Sequence, residues 1–143
     1  KFDKPDSKVT ISSTHKIMVL KGDVKIILNY PSGKQKLIQT YIVKNGDTTI
    51  TGEKVFHENG KLYMIGEIKE FERNGLWQTY YDDGKQWSET NFVNGVTHGK
   101  TITWYKNGQL RFTGYFKNGE KSGEWIWYDE DGKLNKKIEL GTN

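Results

Sequence analysis

No cysteine occurs among the 143 residues, which excludes a disulfide framework, a cysteine-bound zinc and a thiol nucleophile. Proline is nearly missing, with two residues against sixteen glycines, so the glycines belong to turns within ordered structure rather than to a linker. No apolar run approaches the roughly 18 residues that a membrane-crossing helix requires. Charge of one sign does not dominate either. The balance of 22 basic and 18 acidic side chains leaves +4, spread along the chain, which is thin ground for an anionic membrane and predicts no nucleic-acid partner. Only three histidines are present, and His15, His57 and His98 stand too far apart for an H-E-x-x-H or an i, i+2 ligand pair. What the chain does have is aromatics: five Trp, eight Tyr and six Phe. A chain so rich in rings is not a disordered one, and its length suffices for one domain with a core.

The glycines fall into register. Gly60, Gly84, Gly108 and Gly132 are each 24 residues apart, as are Gly75, Gly99 and Gly123, and Gly95 with Gly119. Phe56, Tyr80, Trp104 and Tyr128 each precede a member of the first series by four positions, and Leu62, Gln86, Leu110 and Leu134 follow it by two. Loop glycines without a structural phase would not hold such a register, so the chain is an internal repeat. Within each unit, "QLRFTGYF" alternates with period two, Leu110, Phe112, Gly114 and Phe116 on one parity and Arg111, Thr113 and Tyr115 on the other. Asn118-Gly119 then supplies the positive φ of a tight hairpin, "EWIWY" forms a second strand, and "DEDG" turns into the next unit.

A lone hairpin is marginal in water, whereas stacked hairpins bury a continuous face. The expected fold is therefore all-β, an elongated ladder of stacked β-hairpin repeats in a single antiparallel sheet. Its expected core is the columns Phe56, Tyr80, Trp104, Tyr128 and Leu62, Leu110, Leu134, with Met64, Phe92, Phe112 and Phe116. Gly66 and Gly114 recur in mid-strand, where the missing side chain lets a neighbouring ring lie over the backbone. Residues 54–143 read as the regular hairpin repeats and 30–53 as a degenerate first repeat, on the likeness of "YPSGKQKL" to "YYDDGKQW". Residues 1–29 read as capping strands, "KVTI", "HKIMVL" and "VKIILNY", with a turn at Gly22-Asp23; "LNKKIEL" reads as the last strand, with a short C-terminal helix as the alternative. The start "KFDKPDSKVT", without an initiator Met, suits a chain whose export or lipoprotein leader was removed, placing it outside the cytoplasm or at the envelope; a trimmed cytoplasmic chain also fits.

"FTGYFKNGEKSGEWIWYDEDG" resembles a MORN repeat, a β-hairpin unit built on aromatic-x-Gly-x-aromatic-x-Asn-Gly and a further Gly. Phe112, Gly114, Phe116, Gly119 and Gly123 fall on that pattern, with Tyr128 on its later aromatic. The preceding unit keeps Phe92, Gly95 and Gly99 but has Ser88 and Thr90 for the aromatic and glycine, and the one before it is shortened at "EFERNG". Trp77, Thr101 and Trp125 stand where the eukaryotic pattern has another glycine, a departure similar to the bacterial MORN-variant proteins of the YwqK antitoxin type. The resemblance covers residues 54–134 well and 30–53 weakly. It implies a binding module, antitoxin- or immunity-like, with a protein partner such as a toxin; lipid binding has been proposed for MORN repeats elsewhere.

No catalytic arrangement accompanies the repeats. "DEDG" fails as a calcium loop, because its first ligand position would be Trp127 and its twelfth Ile138. Asp82 and Asp83 are adjacent in a turn and point apart, no serine lies in a nucleophile elbow, and no glycine-rich loop precedes a helix. The chain reads as a non-enzyme without cofactor or metal. What remains is surface: opposite the core parity, Tyr63, Trp87 and Tyr115 of the first strands and Trp77, Tyr81, Tyr105, Trp125 and Trp127 of the second strands would face outward as a partner-binding aromatic face. Rings of this kind also serve cross-strand packing, so each has a structural reading beside the functional one. Besides a protein, such a face suits an anionic lipid, a cell-wall polymer or a carbohydrate.

Overall fold

A computed structural model describes Leu20 and residues 22–141. The strands predicted at "KVTI" and over most of "HKIMVL", and His15, lie outside the described residues. Ten strands follow one another: β1 (Asp23–Asn29), β2 (Gln35–Lys44), β3 (Asp47–Phe56), β4 (Leu62–Lys69), β5 (Glu72–Tyr80), β6 (Gln86–Val93), β7 (Val96–Trp104), β8 (Leu110–Lys117), β9 (Glu120–Tyr128) and β10 (Leu134–Leu140). They form one open antiparallel sheet in sequence order, the hairpin ladder that the glycine register predicts.

Two kinds of turn alternate. At one end of the strands lie two-residue hairpins, Asn45-Gly46, Glu70-Phe71, Asn94-Gly95 and Asn118-Gly119, with φ positive at both positions of each. That is the twist-matched turn for which Asn-Gly is favoured. At the other end are longer turns, closed by paired backbone bonds such as Tyr81 N to Lys85 O (2.8 Å) and Gly84 N to Tyr81 O (2.9 Å). The same pair of bonds recurs at residues 30–34, 57–61, 105–109 and 129–133.

Each long turn is followed by a β-bulge. Val55 pairs with Met64 but Phe56 with Leu62; Thr79 pairs with Ser88 but Tyr80 with Gln86; Thr103 pairs with Phe112 but Trp104 with Leu110. Tyr63, Trp87 and Arg111 are thereby left out of the ladder, and the parity of each first strand flips at its second residue. Uninterrupted alternation, which puts Leu110 and Phe112 on one face, is therefore corrected.

Because directly paired residues share a face, the register sorts the side chains. The back row Ile65, Gln78, Glu89, Ile102, Thr113, Ile126 runs from β4 to β9, flanked by Phe56, Tyr80, Trp104 and Tyr128. Ile65 and Tyr80 pack with Leu20, Leu62 and Leu76, and Ile102, Trp104 and Leu110 pack with Tyr128. Glu89 within this row accepts hydrogen bonds from the Gln78 and Gln86 amides (3.2 and 2.7 Å). Met64, Phe92, Phe112 and Phe116, expected in the same core, lie on the front instead. Leu134, also expected to be buried, is 62% exposed on β10, which pairs with β9 alone among the described residues.

Candidate functional site

The front face is organised by two glycine–tryptophan pairs. Trp77 lies across Gly66, its cross-strand partner, so closely that a Cβ there would meet the indole at 2.1 Å; Trp125 lies across Gly114 at 2.2 Å. Each indole N–H donates to a backbone carbonyl, Trp77 to Glu67 (3.1 Å) and Trp125 to Tyr115 (3.2 Å). Arg73 covers Trp77, with its guanidinium carbon 4.3 Å from the ring centroid, and Phe92 meets it edge-on. Around Trp125 stand Phe112, Phe116 and Trp127, with the Lys121 ammonium 4.5 Å above. The result is 2% exposure for Trp77 and 1% for Trp125.

The outward placement of Trp77 and Trp125 is therefore corrected: an indole folded flat onto glycine backbone has neither face left for a partner. Between the pairs, the unit that lacks the glycine also lacks the tryptophan. Thr90 and Thr101 take the two positions and bond through their hydroxyls (2.9 Å).

At the long-turn end the tyrosines form rungs. The residue that opens each long turn reaches the carbonyl that closes the next unit: Tyr30 Oη to Phe56 O (2.8 Å), His57 Nε2 to Tyr80 O (2.9 Å), Tyr81 Oη to Trp104 O (2.8 Å) and Tyr105 Oη to Tyr128 O (2.9 Å). At the fifth position stands Asp129, whose carboxylate accepts from the backbone of its own turn, Asp131 and Lys133. Tyr81 and Tyr105 are thus half-buried, with their hydroxyls already engaged; burial raises the Tyr81 phenol pKa.

The bulge residues lean on these rungs. Trp87 stacks on Tyr81 with centroids 5.4 Å apart and Tyr63 stands 6.4 Å from Trp87 at 40°. Tyr63 in turn meets the His57 ring at 5.0 Å. Arg111 covers Tyr105 at 5.6 Å and Lys36 covers Tyr30 at 5.3 Å.

The eight aromatics expected on one face therefore occupy three places. Tyr63, Trp87, Tyr81 and Tyr105 gather at the long-turn end; Trp77, Trp125 and the half-buried Trp127 lie on the front; Tyr115 lies on the back, 44% exposed and beside His98. The single aromatic face is corrected because the bulges reverse parity between the two ends of each first strand.

Phe71 was not among the expected residues. It sits at the tip of the β4–β5 hairpin, 89% exposed, with φ of 67°. Gly46, Gly95 and Gly119 occupy the same position at the other tips, with φ of 86°, 78° and 85°. A Cβ-bearing residue in this conformation costs about 1 kcal/mol or more, and Phe71, so exposed, has no packing among the described residues that offsets it. Val43, Val93 and Val96 beside the adjacent tips are also exposed, Val43 on the front face and Val93 and Val96 on the back, so the hairpin end carries apolar side chains around Phe71's strand pair on both faces. The sequence signal was "EF" where the other three tips read Asn-Gly.

Among the described residues no group of His, Asp and Glu is placed to hold a metal, and no helix is long and apolar enough to cross a membrane. The MORN repeat variant profile matches residues 53–70, 73–94, 97–118 and 121–140. No curated protein matches the chain.

Proposed function

We propose that this chain, which belongs to the MORN repeat variant family, binds a protein partner through its hairpin-tip end and acts as an antitoxin-like, immunity-like or scaffold module. MORN repeats are in general protein- or lipid-binding modules, and a non-enzymatic binding role fits such a scaffold. The observation that carries the reading is Phe71. A large ring held in a conformation suited to glycine, projected into solvent at the tip of a rigid ladder, is the form of a hot-spot anchor awaiting a pocket.

The test uses Phe71→Gly, the residue at the equivalent tips. Wild-type and variant proteins are immobilised and exposed to native lysate and culture supernatant of the source organism at about 0.3 M salt, where exposed charge attraction is largely screened. One stoichiometric protein held by the wild type and lost from a variant that folds at least as stably supports the reading. Retention by both proteins alike would move the partner surface elsewhere. A clean column at that salt, with anionic vesicles or polysaccharide held only at low salt, sinks the protein reading in favour of an envelope-associated module.

A further inference from the structure

We infer that the long-turn end carries a second binding site, separate from the hairpin-tip end, for an extended proline-rich peptide with an acidic residue at each end. The site is the column of bulge residues Lys36, Tyr63, Trp87 and Arg111, one from each of β2, β4, β6 and β8. A bulge takes its residue out of the hydrogen-bonded ladder and re-aims the side chain. Here it sets Lys36, Trp87 and Arg111 against the tyrosine of their own turn and Tyr63 against His57.

Spacing selects the ligand. Equivalent residues of neighbouring units are two strands apart, about 9.6 Å at ordinary strand separation. A polyproline II helix has three residues per turn and rises about 9.3 Å per turn. A peptide in that conformation, lying across the strands, therefore offers the same side of its helix once per unit without accumulating a mismatch. It also needs no hydrogen bonds from the sheet, whose backbone is already paired there. Recognition of such helices by aromatic-lined grooves is a recurring mode because the ligand loses little entropy on binding.

Ring geometry favours proline over sugar. One face of Trp87 is taken by Tyr81, and Tyr63 stands tilted on Trp87 by 40° at 6.4 Å. What this arrangement leaves is two half-exposed rings presenting tilted outer edges, against which a pyrrolidine ring packs; a pyranose instead lies flat on an open ring face. Charge then fixes the ends. Lys36 and Arg111 bracket the two rings, and neither joins an ion pair among the described residues. Three unit steps separate them, about 29 Å, which a polyproline II helix spans in about nine residues. Carboxylates nine positions apart in the peptide would meet both cations.

Fluorescence anisotropy with a labelled peptide, a run of eight prolines closed by one glutamate at each end, tests this directly. A Glu-flanked Gly/Ser peptide of equal length and a soluble β-1,4-linked hexasaccharide serve as competitors. The expected result is saturable one-to-one binding, at least tenfold tighter than the Gly/Ser peptide and weakened at least tenfold by Trp87→Ala. Because Trp87→Ala also removes packing on Tyr81, a second variant, Lys36→Glu with Arg111→Glu, is checked for folding by circular dichroism. It should lose the Glu-ended peptide and gain a further probe, the same eight prolines closed by one lysine at each end. No binding, equal binding of the Gly/Ser peptide, or indifference to the charge exchange overturns the inference. So does Trp87-dependent binding of the hexasaccharide without the peptide, which makes the column a sugar platform. Phe71 lies at the opposite end of the strands, so failure here leaves the hairpin-tip reading standing.

Discussion

Phe71 and Tyr80 each carry a cost that the neighbouring units avoid. At the β4–β5 tip, Phe71→Gly removes the Cβ clash of the left-handed conformation, and it should raise stability by about 1 kcal/mol in urea unfolding. A fall instead would mean that the ring packs in solution and is no free anchor. Tyr80 is buried beside Ile65, and its hydroxyl has no hydrogen-bond partner among the described residues. Desolvation by burial, reinforced by the negative charge of Glu89, pushes its phenol from 10.0 up to about 12. The folded chain thus keeps this proton after the unfolded chain has released it. The group's stability is intact below pH 10 and is lost as the pH climbs towards 12. Tyr80→Phe keeps the ring and removes the orphan hydroxyl, so it should add about 1 kcal/mol at neutral pH. It should also flatten the alkaline fall measured by unfolding between pH 10 and 12; an unchanged alkaline profile would assign that fall to another group.

At the scale of strands, the glycine–tryptophan pair is the unit of front-face packing. Gly114→Ala places a methyl carbon inside the Trp125 indole and should cost about 3 kcal/mol. Introducing threonine at both Gly114 and Trp125 copies the Thr90–Thr101 pair, whose hydroxyls bond to each other while that of Thr101 also reaches the Glu89 carbonyl. The double variant should therefore be destabilised by about 2 kcal/mol less than the two singles together, a coupling that a double-mutant cycle in urea measures. Strict additivity would show that the two positions merely tolerate threonine separately.

The same elements show why the sequence was readable in one respect and opaque in another. Turn positions announce themselves, because positive φ at a hairpin tip demands glycine or asparagine and a period of 24 repeats the demand. Gly66 and Gly114 were legible as places for a ring to lie over backbone, for the same steric reason. The bulges have no such signature: Lys36, Tyr63, Trp87 and Arg111 share neither size nor charge. Without them the parity rule runs straight through, sending Phe112 to the wrong face and gathering eight aromatics on one surface. Tyr81 and Tyr105 were expected only as outward aromatics, and it takes geometry to give their hydroxyls to the next unit's carbonyl.

Along the whole molecule, packing is concentrated between strands adjacent in sequence, so stability is passed from unit to unit rather than held in one closed core. The rungs reinforce this, since each turn bonds to the one after it. At Asp129 the side chain turns inward to its own loop instead, and β10 pairs with β9 alone among the described residues. Lys136 and Lys137 on that strand discourage further edge pairing. A nearest-neighbour ladder makes damage local. In native-state hydrogen exchange, Gly114→Ala should therefore strip protection from β8, β9 and β10 while β2, β3 and β4 keep most of theirs. Two disjoint responses within one continuous sheet are the signature of a chain whose units are stable through their neighbours. Equal loss from every strand would instead mean that the ten strands unfold as one cooperative body, and the hairpin-tip and long-turn surfaces would then rise and fall together with any core substitution.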